Sequence, residues 1–189
     1  MYIAVGSGLL FGAVLSLWLL NPSPASTTLY LVPIGETPPD LLPELAGHFR
    51  SAFGLSVTAL PQLPPDPAAY NPDRRQYEAD RLVEYLRRVQ PELAHDARAR
   101  LIGITGYDLY WDEMRDRWIF TFGVRDADNR VGIVSYARMD PAHLGEAPDE
   151  QRLRSRLRKM LTKDVGLMCL GAIAPVLAKD SAEASPFAA

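Results

Sequence analysis

The chain is poor in the residues that most often hold metal ions. Its 189 residues include three histidines, His48, His95 and His143, and one cysteine, Cys169. A single cysteine cannot close an internal disulfide and excludes a CxxC metal knuckle. Lying in an apolar stretch, Cys169 reads as a buried, unreactive thiol. No two histidines stand at the i, i+4 spacing that puts a pair of ligands on one helix face. Each has a plain placement instead. His48 falls late in an expected helix, where an imidazole complements the dipole, and His95 and His143 fall in polar connections. The chain also lacks a basic excess. Its formal net charge is −3, with acids and bases dispersed, which excludes the electrostatic footprint of a nucleic-acid binder. There is no internal repeat. A composition of 48% apolar and 23% charged residues supplies a core and argues against global disorder.

No charged side chain precedes Glu36. Residues 3–20 are an apolar run whose helix would rise about 27 Å, near the lower limit for a bilayer. Ser23-Pro24-Ala25 places small residues at the −3 and −1 positions of a cut after Ala25. The positive residues that normally open a signal peptide are absent. Residues 1–25 are therefore expected to be an export signal or an uncleaved membrane anchor, a buried core helix or a misplaced start being the alternatives. Residues 26–178 are expected to form the domain, outside the cytoplasm, and 179–189 a flexible tail.

Apolar runs at 29–34 and 55–60 read as strands. Between them, Leu41, Leu42, Leu45, Phe49 and Phe53 follow helical spacing, closed by Gly54 as C′ residue. Five prolines between Pro61 and Pro72 force an extended surface crossing. A second helix is expected over 75–89, limited by Pro91. Residues 100–110 read as a doubly buried strand. Residues 118–124 and 131–139 form an expected hairpin around the turn-rich 125–130, where Asp126, Asp128 and Asn129 lack the glycine and distal glutamate of an EF-hand. The tryptophans Trp111 and Trp118, with Tyr110, suggest packing at a hairpin end or a sugar or peptide platform. A last helix is expected over 150–170. The order predicts an α/β (α+β) fold with a mixed sheet of about five strands and three main helices.

Several short phrases in this order resemble the archaemetzincins, a metzincin-like family of zinc peptidases. They are Arg75-Gln76-Tyr77, Gly103-Ile104-Thr105, Asp108-Leu109-Tyr110, Phe120-Thr121-Phe122-Gly123, Val134-Ser135 with Arg138, and Arg158-Lys159. The resemblance runs from Tyr70 to about Leu170 and implies a zincin-like upper subdomain ending in an active-site helix. It also implies zinc, held by the three histidines of HExGHxxGxxHC. In that register the chain carries Lys163 and Leu167 at the first two ligand positions and Ile173 at the third. A protonated lysine and a leucine offer zinc no donor. Asp164 takes the place of the general-base glutamate.

At about 100° per residue, Asp164 falls inside an apolar stripe of Leu153, Leu157, Met160, Leu161, Leu167 and Met168. A carboxylate there needs a partner or a raised pKa. It reads either as a retained acid in a remodelled cleft or as an acid neutralised by Arg138 or by an arginine of its own helix. The basic run Arg152, Arg154, Arg156, Arg158 and Lys159 reads as a solvated face, or as one that touches anionic lipid.

The expectation is a catalytically inactive, cofactor-free archaemetzincin-like domain with an unknown protein or peptide partner, no nucleic acid, and membrane attachment through its N-terminal segment. The alternative is an active metallopeptidase-type hydrolase with a displaced or non-standard site. A natural truncation of the lower subdomain is a third reading.

Overall fold

The computed structural model describes residues 27–114 and 118–170. The expected signal or anchor at 1–25, the tail at 179–189 and Ile173 lie outside the described residues. Among the described residues no helix is long and apolar enough to cross a membrane.

The elements in chain order are β1 (Thr28–Ile34), α1 (Leu41–Phe53), β2 (Ser56–Ala59), β3 (Tyr70–Asn71), β4 (Gln76–Glu78), α2 (Ala79–Val89) and α3 (Pro91–His95). There follow β5 (Ala99–Thr105), β6 (Leu109–Tyr110), β7 (Gly123–Arg125), β8 (Val131–Ser135) and α4 (Glu150–Leu170). The main sheet has the order β2-β1-β5-β8-β7. Its first four strands run parallel, and β7 returns antiparallel to β8 as an edge. This is the expected mixed five-stranded sheet, with three longer helices and the short α3.

All seven residues of β5 are buried, as a central strand with both faces covered requires. Alternation divides them between two cores. Leu101 joins Val131 and Ile133 against Leu82, Val83 and Leu86 of α2. Ile102 and Ile104 join Leu31 against Leu45 and Phe49 of α1 and Leu157, Leu161 and Val165 of α4. The molecule is thus three layers, with α1 and α4 on one face of the sheet and α2 on the other. Each fully buried leucine contributes roughly 2 to 3 kcal/mol. The close approach of α2 depends on Gly103, where an added Cβ would stand 2.6 Å from Ile133 Cδ1 and 2.9 Å from Leu86 Cδ1.

Gly54 ends α1 at φ 63° with its N–H on the Arg50 carbonyl, as a left-handed C′ residue should. The second helix starts later than the sequence suggests. Arg75 has φ 55°, and the Tyr77 N–H donates to the Asp108 carbonyl at 2.9 Å. Long-range pairing therefore draws residues 76–78 into β4, beside β6 in a small second sheet. The same pairing splits the expected strand at 100–110 into β5 and β6. In the turn after β7, Asp126 Oδ1 accepts from the N–H groups of Arg130 at 2.8 Å and Val131 at 3.2 Å, and Asn129 has φ 54°. This is a hairpin turn, not a cation loop.

The basic run of α4 is not a free face. Arg154 pairs with Glu44 at 2.6 Å and Asp40 at 2.9 Å, and Arg158 also meets Glu44. Arg152 pairs with Glu146 at 3.0 Å, and Arg156 donates to the Met139 carbonyl. These arginines tie α4 to α1 and to the preceding loop, while Lys159 of the same run is exposed. Burial pushes the half-buried Cys169 thiol up, consistent with an unreactive role.

Candidate functional site

Asp164 is only 3% exposed, amid the buried Leu161, Val165, Leu167 and Met168 of α4. A carboxylate so placed requires a hydrogen-bonded partner, and the structure supplies one that the sequence does not suggest. Arg125 of β7 donates Nη1 to Asp164 Oδ1 and Nε to Asn129 Oδ1 at 3.3 Å. Burial pushes the Asp164 carboxyl up, while Arg125 and then Lys163 work against it. An arginine of the same helix is not the partner, and Arg138 serves elsewhere. It holds Asp108 through Nε at 2.8 Å and Nη2 at 2.6 Å and covers the Phe120 ring at 4.4 Å.

Arg138 and Asp108 belong to a second network. The buried Gln76 Nε2 donates to Asp108 Oδ2 at 3.0 Å and to the Ile119 carbonyl at 2.9 Å. Arg74 donates Nε to Gln76 Oε1 at 3.0 Å and Nη2 to the same Ile119 carbonyl at 3.1 Å. Short phrases scattered through the sequence thus converge on one task, holding residues 118–122 against β6.

Between that held segment and α4 lies a cleft of about 650 Å³. Trp111, Trp118, Ile119, Phe120 and Phe122 form an apolar wall, with Arg125 beside them and Met160, Lys163 and Asp164 opposite. The Trp111 and Trp118 rings stand 6.0 Å apart, with Trp118 48% and Ile119 71% exposed. The two rings pack against each other, and Trp118 also presents surface to solvent.

Edge strand β7 borders the same cleft. Its register with β8 pairs Val124 with Ile133, flanked by Ser135 N–H on the Phe122 carbonyl and Asp126 N–H on the Val131 carbonyl. That alternation turns the peptide groups of Gly123 and Arg125 outward. Thr121 occupies those of Gly123, its Oγ1 donating to the Gly123 carbonyl at 2.9 Å and accepting from the Gly123 N–H at 3.3 Å. Gly123 must lack a side chain, since a Cβ would stand 2.4 Å from the Ile133 carbonyl oxygen.

Two of the three residues that the resemblance sets at ligand positions are among the described ones. Lys163 is exposed at the cleft, Leu167 is buried in the core, and Ile173 lies outside the described residues. His48 rests 3.4 Å from Thr162 Oγ1, His95 bonds the Pro91 carbonyl at 2.6 Å, and His143 is exposed in a short turn. The structure does not bring the three histidines together as ligands. The functional residues that sequence reasoning misses are Arg125, Gln76 and Thr121. Only the phrases containing Gln76 and Thr121 carried a signal, and it was one of resemblance.

No family model matches the chain. The archaemetzincin of Pyrococcus furiosus is 31% identical over 141 residues, covering 72% of this chain and 70% of that protein. The crystal structure of archaemetzincin from Methanopyrus kandleri superposes with a TM-score of 0.57 at 25% identity, covering 77% of this chain and 74% of that one. A structure described as a zinc-dependent peptidase from Methanocorpusculum labreanum shares the fold, with a TM-score of 0.58 at 19% identity over 74% and 80% of the two chains.

The archaemetzincin relatives correct the expectation of no cofactor, because zinc is what such a family leads one to expect. The described part of α4 does not itself fit the ion. Lys163 and Leu167 offer no donor, and Asp164 is committed to Arg125. Among the described residues no group of three or more His, Cys, Asp or Glu side chains could hold a metal.

Proposed function

The chain belongs to the archaemetzincin family, and on that premise we propose that the cleft between β7 and α4 receives an extended peptide. The observation that carries this is the meeting of a strand edge with an aromatic wall. The outward peptide group of Arg125 offers main-chain hydrogen bonds, and Trp111, Trp118, Phe120 and Phe122 take up side chains. That combination is how peptides are recognised by strand addition, and the cleft volume falls within the range of ordinary ligand sites.

Two readings concern the fate of the peptide. The relatives, metallopeptidases for which zinc is expected, support hydrolysis. The chemistry of α4 supports binding without cleavage, since the general-base position is occupied by an aspartate engaged with Arg125. Incubating the purified full chain with zinc and quenched-fluorescent peptides separates them. Cleavage that a chelator abolishes establishes hydrolysis, and saturable binding with intact peptide establishes a holding role. Absence of both removes the peptide reading.

Export or anchoring through residues 1–25 belongs to the same proposal and is supported by the uncharged apolar run at 3–20. Recovery of the whole chain in the cytoplasmic fraction, without processing, would overturn it.

A further inference from the structure

We propose that the cleft recognises the free C-terminal carboxylate of its peptide, with Lys163 as the recognising group; this rests on the peptide reading above. Two acids line the cleft, and each is matched by an arginine. Asp164 meets Arg125, and Asp126 meets Arg87 at 2.6 Å, while its other oxygen accepts from the turn. Among the described lining residues Lys163 is the cation with no ion pair of its own beyond its influence on Asp164, and it is exposed where it lines the cleft. An ammonium there attracts an anion and forms a charge-assisted hydrogen bond with it.

The wall opposite explains why the anion is the end of a main chain and not an acidic side chain. Trp118, Ile119, Phe120 and Phe122 present apolar surface where side chains would lie. The edge strand is also short. β7 has three residues, and the Thr121 hydroxyl already takes the peptide groups of Gly123. Outward pairing on β7 is therefore confined to Arg125, which suits a peptide that terminates in the cleft better than one that passes through.

The test uses N-terminally dansylated hexapeptides of alternating Val and Thr ending in Phe, as free acid and as C-terminal amide, titrated by anisotropy into the full-length chain. The free acid is expected to bind roughly tenfold more tightly than the amide. Lys163→Met is expected to erase that difference by weakening the free acid to the level of the amide. Lys163 is exposed, and an unaltered urea midpoint confirms that the variant folds. Equal binding of acid and amide to the wild-type chain overturns end recognition and leaves the peptide reading standing. A preference that survives Lys163→Met overturns the assignment to Lys163. Binding of neither peptide overturns both proposals together.

Discussion

Near its N-terminus, α4 carries Arg154 and Arg158, which meet the exposed Asp40 and the half-buried Glu44 of α1, acids that water still reaches. Near its C-terminus it carries Asp164, which meets Arg125 of β7 beneath the surface. The ion types are the same, but the surroundings differ. Exposed pairs contribute roughly 0 to 1 kcal/mol each, because water and salt screen them and long side chains lose freedom. A buried pair gains little over an apolar pair of the same shape, yet removing one partner leaves a charge without solvent. The first region holds two helices in register, and any one contact could be lost at small cost. The second fixes α4 to the edge strand, and removal of its arginine strands a buried acid. What distinguishes them is dependence on the partner, not strength of attraction.

The largest effect is expected from Arg125→Ala, which strands Asp164. A loss of about 3 kcal/mol in urea unfolding at neutral pH is expected, and a loss as small as that of an exposed pair would erase the distinction. Replacing both residues, Arg125→Leu with Asp164→Leu, should recover most of it. Gly123→Ala should cost about 2 kcal/mol, since the new methyl meets the Ile133 carbonyl, a backbone atom that cannot swing aside. Loss of amide protection in β8 by hydrogen exchange would locate the damage at this edge.

Asp164→Asn keeps the shape and should change neutral-pH stability by only about 1 kcal/mol. Its pH dependence is more informative. The folded carboxyl of Asp164 is pushed up by burial, so its contribution is fully present below the unfolded pKa and is lost as pH rises through the folded one. The wild-type advantage over Asp164→Asn should therefore grow as pH falls from neutral towards the ordinary carboxylate range.

Glu44→Gln should be the mildest change, about 0.5 kcal/mol and smaller in high salt. Its pH dependence should run the other way. Partial burial raises the Glu44 carboxyl, but hydrogen bonds from Arg154 and Arg158 hold it below its usual range. Its contribution is present above the unfolded pKa and lost as pH falls through the folded one. Parallel urea titrations of the two variants should thus diverge in opposite directions, and curves of the same slope would show that the two ends of α4 are alike.

The layers of this fold were legible where local rules decide. Periodicity placed the start of α4 at Glu150, Gly54 closed α1, and the apolar run of β5 announced a central strand. Legibility failed where partners distant in sequence decide. Residues 76–78 look like the start of a helix until Asp108 claims the Tyr77 N–H. The helical wheel placed Asp164 in the core, but its partner could not be chosen from the chain's many arginines, because the choice depends on which strand ends beside α4. The residues that the resemblance sets at the zinc positions were legible as types. The cleft that Lys163 lines was not, since its wall is made by residues 118–122 and its border by the register of β7.

The side chain of Gln76 lines no part of the cleft, yet it grips the Ile119 carbonyl from the far side of the wall. The shape offered to a ligand is consequently written partly in a buried amide. On the proposed peptide reading, ligand preference drifts through substitutions at Gln76, Arg74 or Asp108 while every lining residue stays the same. A comparison of sequences limited to the cleft surface would miss the change.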